Sequence, residues 1–72
     1  MRDKNRIPVF IKELERIWMQ CYPDWRFGQF MVNFLTYVAL EQKRYPFFPE
    51  EAEMLKYLQE YAKKSSYYKE NK

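Results

Sequence analysis

The sequence predicts an all-α fold, a single three-helix domain, and three observations support this prediction. The chain has 72 residues, which is enough for one domain. Apolar residues recur every three to four positions along most of the chain, and no segment shows strand alternation. Prolines separate the periodic segments at Pro23, Pro46 and Pro49. We therefore expect one compact helical domain over residues 1–64 and a mobile tail over residues 65–72.

The first predicted helix covers about residues 6–22 and is amphipathic. Asn5 is a suitable N-cap, and Pro8 is tolerated because it lies in the first turn. Pro23 ends the helix, since the residue before a proline avoids the α conformation. The apolar stripe consists of Ile7, Phe10, Ile11, Leu14, Ile17, Trp18 and Cys21.

The second predicted helix covers about residues 25–42 and forms a helical hairpin with the first. Asp24 is the expected N-cap. The apolar arc of this helix covers more than half of its circumference, which predicts a central helix that touches more than one neighbour. Gly28 indicates either close approach of another helix backbone or a glycine that is simply tolerated. The residues expected to fill the corner between the first two helices are Phe27, Phe30, Met31 and Phe34.

The third predicted helix covers about residues 49–64 and packs across the hairpin. Pro49 fits the first helical position. The glutamates that follow it are favoured by the positive end of the helix dipole. Glu60 and Lys64 have the spacing of a stabilising ion pair.

The residue inventory argues against an enzyme. The chain has no histidine, one cysteine and one glycine, so a metal site, a Cys–His pair and a glycine-rich phosphate loop all lack their components. Cys21 falls on the apolar stripe and is expected to be an inert core thiol. Glu50, Glu51 and Glu53 are better explained as a solvated helix start than as catalytic carboxylates. We expect no catalytic residue, no cofactor, no metal and no small-molecule substrate.

The N-terminus and the hydropathy pattern predict a cytoplasmic protein. The first residues, MRDKNRIP, are charged and lack the apolar segment of a signal peptide. The longest uncharged run, residues 27–40, is too short to span a bilayer and contains Gln29, Asn33 and Thr36. We therefore expect no membrane partner.

An excess of aromatic residues predicts a protein-interaction module, which could also self-associate. Aromatic residues make up 21% of the chain, more than a core of this size is expected to bury. Exposed aromatic and arginine side chains dominate binding hot spots. Phe47 and Phe48 have an alternative role, which is to fold back and close the open end of the core. The candidate protein-binding residues are Tyr22, Trp25, Arg26, Arg44, Tyr45, Phe47 and Phe48.

Nucleic-acid binding is the alternative function. The basic termini and the Lys43–Arg44 pair could contact phosphates, and Tyr67 and Tyr68 could stack on bases. The net charge of only +3 argues against this function. The second helix is also too apolar to be a recognition helix, and the third begins with glutamates that would repel phosphate.

A sequence pattern carries a resemblance to a known group of proteins. It reads W-x-x-x-x-P-D-x-R-F-G-Q from Trp18 to Gln29, and it continues with Pro46, Phe47, Phe48 and the glutamates that follow. Over residues 5–62 the chain resembles a group of small uncharacterised bacterial and prophage proteins. The resemblance implies a small helical protein of unknown function, often encoded on mobile elements. If the chain is phage-encoded, we expect its partner to be a host or defence protein in the host-cell cytoplasm. The chain departs from the group at Trp25, at Phe30 and in its tyrosine-rich end.

Overall fold

The computed structural model describes residues 2–68 and consists of three α-helices, which confirms the predicted fold class. Each helix boundary lies within two residues of its predicted position. A corner of residues 22–26 joins the first two helices, and a connector of residues 41–50 leads to the third. The helices are α1 (Arg6–Cys21), α2 (Phe27–Leu40) and α3 (Glu51–Ala62).

Helices α1 and α3 lie side by side and run in the same direction. At their N-terminal ends, Arg6 Nε contacts Glu51 Oε1 at 2.6 Å. At their C-terminal ends, the Ser65 hydroxyl just beyond α3 donates a hydrogen bond to the carbonyl of Cys21. The corner therefore lies at the C-terminal end of this helix pair, and the connector leads back to the N-terminal end, where α3 begins.

Aromatic rings from α2 pack on the C-terminal halves of the other two helices. The Tyr61 ring of α3 lies 5.7 Å from the Phe34 ring and 4.9 Å from the Tyr37 ring, measured between centroids. On α1, the Trp18 ring lies 5.7 Å from that of Phe30. The buried core is Leu14, Ile17, Cys21, Tyr22, Phe30, Phe34, Tyr37, Val38, Leu58, Tyr61 and Ala62.

Helix α2 buries less of its apolar arc than the sequence predicts. Phe30 and Phe34 are buried and Met31 is half-buried, but Phe27 is 60% exposed, so the prediction that Phe27 fills the core is wrong. Gly28 does not serve a close helix approach, because a Cβ built there meets no atom within 4 Å. Helix α2 contacts both other helices through its aromatic rings, as predicted. The helix whose backbone lies close to both others is α3, so the prediction that the second helix is central is wrong.

The start of α2 differs from the prediction that Asp24 caps it. The helix begins at Phe27, and Arg26 occupies the N-cap position with an extended backbone. The Arg26 backbone N–H donates to Gln29 Oε1 at 2.9 Å. The side chain of a glutamine in the first turn therefore provides an acceptor for the backbone N–H of the N-cap residue. Asp24 instead accepts a hydrogen bond from the Tyr67 hydroxyl.

Two details of α3 also differ from the prediction. Pro49 is buried but precedes the helix, because Glu50 has an extended backbone and takes the N-cap position. Lys64 pairs with Glu41 beyond the end of α2, at 2.9 Å, and not with Glu60. The lysine therefore joins two helices, which a pairing rule within a single helix does not anticipate.

The first residues of the predicted tail fold back on the corner. Within residues 65–68, the Tyr67 hydroxyl donates to Asp24 Oδ2 at 3.0 Å. Tyr68 is partly buried and packs against the core. The rest of the predicted mobile tail, residues 69–72, lies outside the described residues.

Candidate protein-binding surface

Three aromatic side chains of the connector form an exposed cluster, which we name the connector aromatic patch: Tyr45, Phe47 and Phe48. They are 68%, 79% and 67% exposed, respectively. Their rings pack on one another, with centroids 5.2 Å apart for Phe47 and Phe48 and 5.6 Å apart for Tyr45 and Phe48. None of the three belongs to the core or to the residues packed against it. Folding therefore leaves these apolar rings in water.

Local backbone geometry holds the connector aromatic patch in place. Lys43 has a φ of 56°, a left-handed conformation that reverses the chain after α2. The Arg44 backbone N–H then donates to the carbonyl of Val38 at 3.2 Å, and a tight turn follows, in which the Phe48 N–H donates to the Tyr45 carbonyl at 3.1 Å. The patch is therefore supported by backbone hydrogen bonds at both its start and its end.

Ion pairs to the glutamates of α3 surround the patch. The Arg44 guanidinium pairs with Glu53, whose Oε2 also accepts a hydrogen bond from the Tyr57 hydroxyl at 2.7 Å. On the other side, Arg2 makes a two-pronged contact with Glu50, with Nη2 to Oε1 at 2.7 Å and Nε to Oε2 at 2.8 Å. This guanidinium lowers the pKa of Glu50, so the pair remains charged at neutral pH.

A shallow depression lies where these ion pairs meet the patch. Its lining is Arg2, Arg6, Phe47, Phe48, Pro49, Glu50 and Glu51, and its volume is about 270 Å³. The lining therefore combines two phenyl rings with paired charges. Such a surface combines an apolar contact area with a polar rim, which is the composition typical of protein–protein interfaces.

The candidate residues of the corner are arranged differently. Tyr22 is only 8% exposed, so the expectation that it is an exposed anchor is wrong. Its ring stacks on that of Trp25 at 4.4 Å, and its hydroxyl donates to the carbonyl of Tyr61 at 2.6 Å. Trp25 is half-buried, and Arg26 is exposed. The structure thus brings the connector candidates together and separates them from the corner candidates by the length of α1.

The sequence did not lead us to predict one exposed surface, the outer face of α2. Val32 is 64% exposed and Leu40 is 71% exposed, and Gly28 and Ala39 are also exposed. The sequence does contain a feature that indicates such a surface, because no charged residue occurs between Phe27 and Leu40. A wide apolar arc was interpreted as deep burial, although it is equally typical of a helix with an unpartnered face.

The chemistry available in the described residues is limited. Cys21 is buried, and this burial raises the pKa of its thiol. Across residues 2–68, no three His, Cys, Asp or Glu side chains are grouped so that they could hold a metal ion. Over the same residues, no helix combines the length and the apolar character that crossing a membrane requires.

A scan against protein-family models gives no match, and searches of curated proteins and of solved structures give none either. The resemblance to small prophage proteins therefore stays a prediction. The function proposed below is therefore inferred from the structure itself, and above all from the exposed rings of Tyr45, Phe47 and Phe48.

Proposed function

We propose that this chain is a small non-catalytic protein-interaction module, with the connector aromatic patch as its contact surface. A single observation supports the proposal most strongly: the rings of Tyr45, Phe47 and Phe48 remain exposed and pack on one another. Removing three such rings from water would give a substantial apolar gain, since aromatic residues bury roughly 150–250 Å² each. If the chain is prophage-borne, the partner is a host or defence protein of the cytoplasm.

The surroundings of the patch support a protein partner over nucleic acid. Arg2, Arg6 and Arg44 each lie within an ion pair with a glutamate of α3 or its N-cap. Binding phosphate through these arginines would require breaking those pairs or bringing phosphate close to the glutamates, which is repulsive. A protein partner can bury the rings and leave the ion pairs at the rim, where they are solvated.

The proposal is tested by affinity capture from a lysate of the cells that encode the protein, with and without nuclease, followed by mass spectrometry. We expect a stoichiometric protein that survives nuclease treatment with the wild-type chain. The double variant Tyr45→Ala/Phe47→Ala should lose it, because the main apolar contact is gone.

A matched control uses exposed apolar residues outside the patch. Val9 and Met19 lie on α1 and are 61% and 70% exposed, so Val9→Ala/Met19→Ala removes apolar surface of similar accessibility. This control should retain the partner. Unchanged capture by the patch variant would contradict the proposal, and so would a loss of helical circular dichroism in that variant, which would place the rings in the core. Recovery that disappears with nuclease would favour nucleic-acid binding.

A further inference from the structure

A cleft lies at the corner, where α1 and α3 end, and it shares no residue with the connector aromatic patch. Its volume is about 350 Å³. Three aromatic side chains line it together with one acidic side chain, that of Asp24. We name it the corner cleft, and its full lining is Cys21, Tyr22, Asp24, Trp25, Lys64, Ser65, Ser66 and Tyr67.

We propose that the corner cleft binds the guanidinium group of an arginine side chain that another polypeptide supplies. The site is separate from the connector aromatic patch, and the proposal does not rest on the function proposed above. A guanidinium is planar and cationic, so it stacks on aromatic rings and donates hydrogen bonds to a carboxylate. The corner cleft brings groups of both kinds together in one place.

The Asp24 carboxylate is the anionic partner for this ligand. Its side chain is exposed, and its Oδ2 accepts a hydrogen bond from the Tyr67 hydroxyl at 3.0 Å. Across residues 2–68 the carboxylate makes no other hydrogen bond and no ion pair, so Oδ1 can accept from a donor that arrives from outside. Most glutamates of the same residues lie in ion pairs already, namely Glu13, Glu41, Glu50, Glu51, Glu53 and Glu60.

Trp25 and Tyr67 supply ring surface that is already fixed in position. The Trp25 ring stacks on that of Tyr22, with centroids 4.4 Å apart and an angle of 21° between the planes. The carbonyl of Trp25 accepts a hydrogen bond from the indole N–H of Trp18 at 2.9 Å. Tyr67 is 53% exposed, and its hydroxyl is bonded to Asp24. A ligand therefore has little of the protein to order when it binds.

The backbone around the corner cleft also favours a cation. Cys21 is the last residue of α1, and residues 64–66 follow the end of α3, so two helix C-termini border the cleft. The C-terminal end of a helix carries a partial negative charge. Neither helix has a basic residue in its last turn. The two helix ends and Asp24 therefore give a local negative potential on a chain whose net charge is +3.

Lys64 lines the corner cleft, but its charge is paired with a residue outside it. Its Nζ lies 2.9 Å from Glu41 Oε1 and 5.6 Å from the centroid of the Tyr37 ring. The ammonium makes no ion pair with Asp24, although both residues line the same cleft. An incoming guanidinium at Asp24 therefore meets a neutralised lysine–glutamate pair, which repels it less than an unpaired lysine would.

Titration of the isotope-labelled full chain with the peptide acetyl-Gly-Arg-Gly-amide, followed by heteronuclear NMR, tests the proposal. We expect saturable shifts at the backbone of Asp24 and Tyr67 and at the indole N–H of Trp25. The Kd should lie in the millimolar range, because a single side chain makes the contact. The same peptide with citrulline in place of arginine keeps the shape and loses the charge, so it should give no saturable shift. Both titrations use the wild-type chain and do not depend on the folding of a variant.

Asp24→Asn tests the role of the carboxylate. It removes the charge and keeps an oxygen that can accept from Tyr67, so the Kd for the arginine peptide should rise at least about fivefold. Asp3→Asn is the matched control, because it makes the same substitution and the same change in net charge at another exposed aspartate. This control should bind the peptide as the wild type does.

Three outcomes would overturn the proposal. The first is the absence of saturable shifts in the corner cleft with the arginine peptide at up to about 20 mM. The second is a citrulline peptide that binds as tightly as the arginine peptide, since the cation would then contribute nothing. The third is an Asp24→Asn variant whose Kd equals that of Asp3→Asn. The capture experiment tests the connector aromatic patch, so it can succeed or fail independently of these titrations.

Discussion

Tyr22 links the corner after α1 to α3 through its hydroxyl group, and the cost of losing this link can be measured. Its hydroxyl donates to the carbonyl of Tyr61 at 2.6 Å in a buried setting. Tyr22→Phe keeps the ring and removes this hydrogen bond, while the Tyr61 carbonyl still accepts one from the Lys64 backbone N–H at 3.0 Å. The variant should therefore lower the free energy of unfolding by about 0.5–1.5 kcal/mol, the net contribution of one hydrogen bond. Urea unfolding followed by circular dichroism measures the loss. A variant as stable as wild type would show that the hydrogen bond contributes nothing net.

The same residue predicts a loss of stability at alkaline pH. Burial and the neighbouring Tyr61 raise the pKa of Tyr22 well above that of a free tyrosine. The unfolded chain releases this proton near pH 10 while the folded chain keeps it, so the unfolding free energy should fall as pH rises above about 10. Unfolding measured between pH 8 and 11 should show a shallower fall for Tyr22→Phe. Equal slopes would mean that Tyr22 ionises freely in the fold.

Cys21 should be protected from thiol reagents as long as the chain is folded. The thiol is 5% exposed, and burial raises its pKa, so both access and the thiolate fraction are low. Labelling with an aromatic disulfide reagent at pH 7.5 should be slow in buffer and rapid in urea. Rapid labelling of the native chain, under conditions where circular dichroism shows full helicity, would contradict this burial.

At the scale of the helices, Gly28 gives the clearest expected gain. Nothing surrounds the position of its missing Cβ, so alanine fits without strain. Gly28→Ala should raise the free energy of unfolding by a few tenths to about 1 kcal/mol, since alanine favours the helix and the site lies in its first turn. A loss of stability would reveal a close contact at this position.

The helices also show what the sequence could and could not predict. Periodicity and prolines placed all three helices within two residues, because burial of one face and the loss of a backbone donor act locally. The failures concern partners that are distant in sequence. Asp24 has a side chain suited to an N-cap, but its carboxylate accepts a hydrogen bond from the Tyr67 hydroxyl. The side chain that bonds to the backbone at the start of α2 is that of Gln29. Lys64 likewise reaches Glu41 and not the glutamate on its own helix.

The sequence predicted that some aromatic rings would be exposed, but it did not predict correctly which ones. Composition indicated more aromatic rings than the core can bury, and Tyr45, Phe47 and Phe48 are indeed exposed. It could not decide which rings those were. Tyr22 is buried because its hydroxyl finds a backbone acceptor on α3, a match that only the tertiary arrangement supplies. Phe27 stays exposed because α3 packs along α1 and leaves that side of α2 uncovered.

For the molecule as a whole, residues 65–68 close the end of the fold at which all three helices meet. Ser65 bonds to the carbonyl of Cys21, Tyr67 bonds to Asp24, and Tyr68 packs against the core. A domain of this size has little stability to spare. A chain ending at Lys64 should therefore be less stable by roughly 1–3 kcal/mol, through the lost apolar burial and hydrogen bonds.

A chain ending at Tyr68 is the matched control for that truncation, because it keeps every contact just described. Thermal unfolding followed by circular dichroism compares the two, and each 1 kcal/mol should shift the midpoint by about 4–8 °C in a domain of this length. The shorter chain should melt several degrees below the control, because Tyr68 no longer covers the core. Equal midpoints would show that the domain ends at Lys64 and that the contacts of residues 65–68 add no net stability.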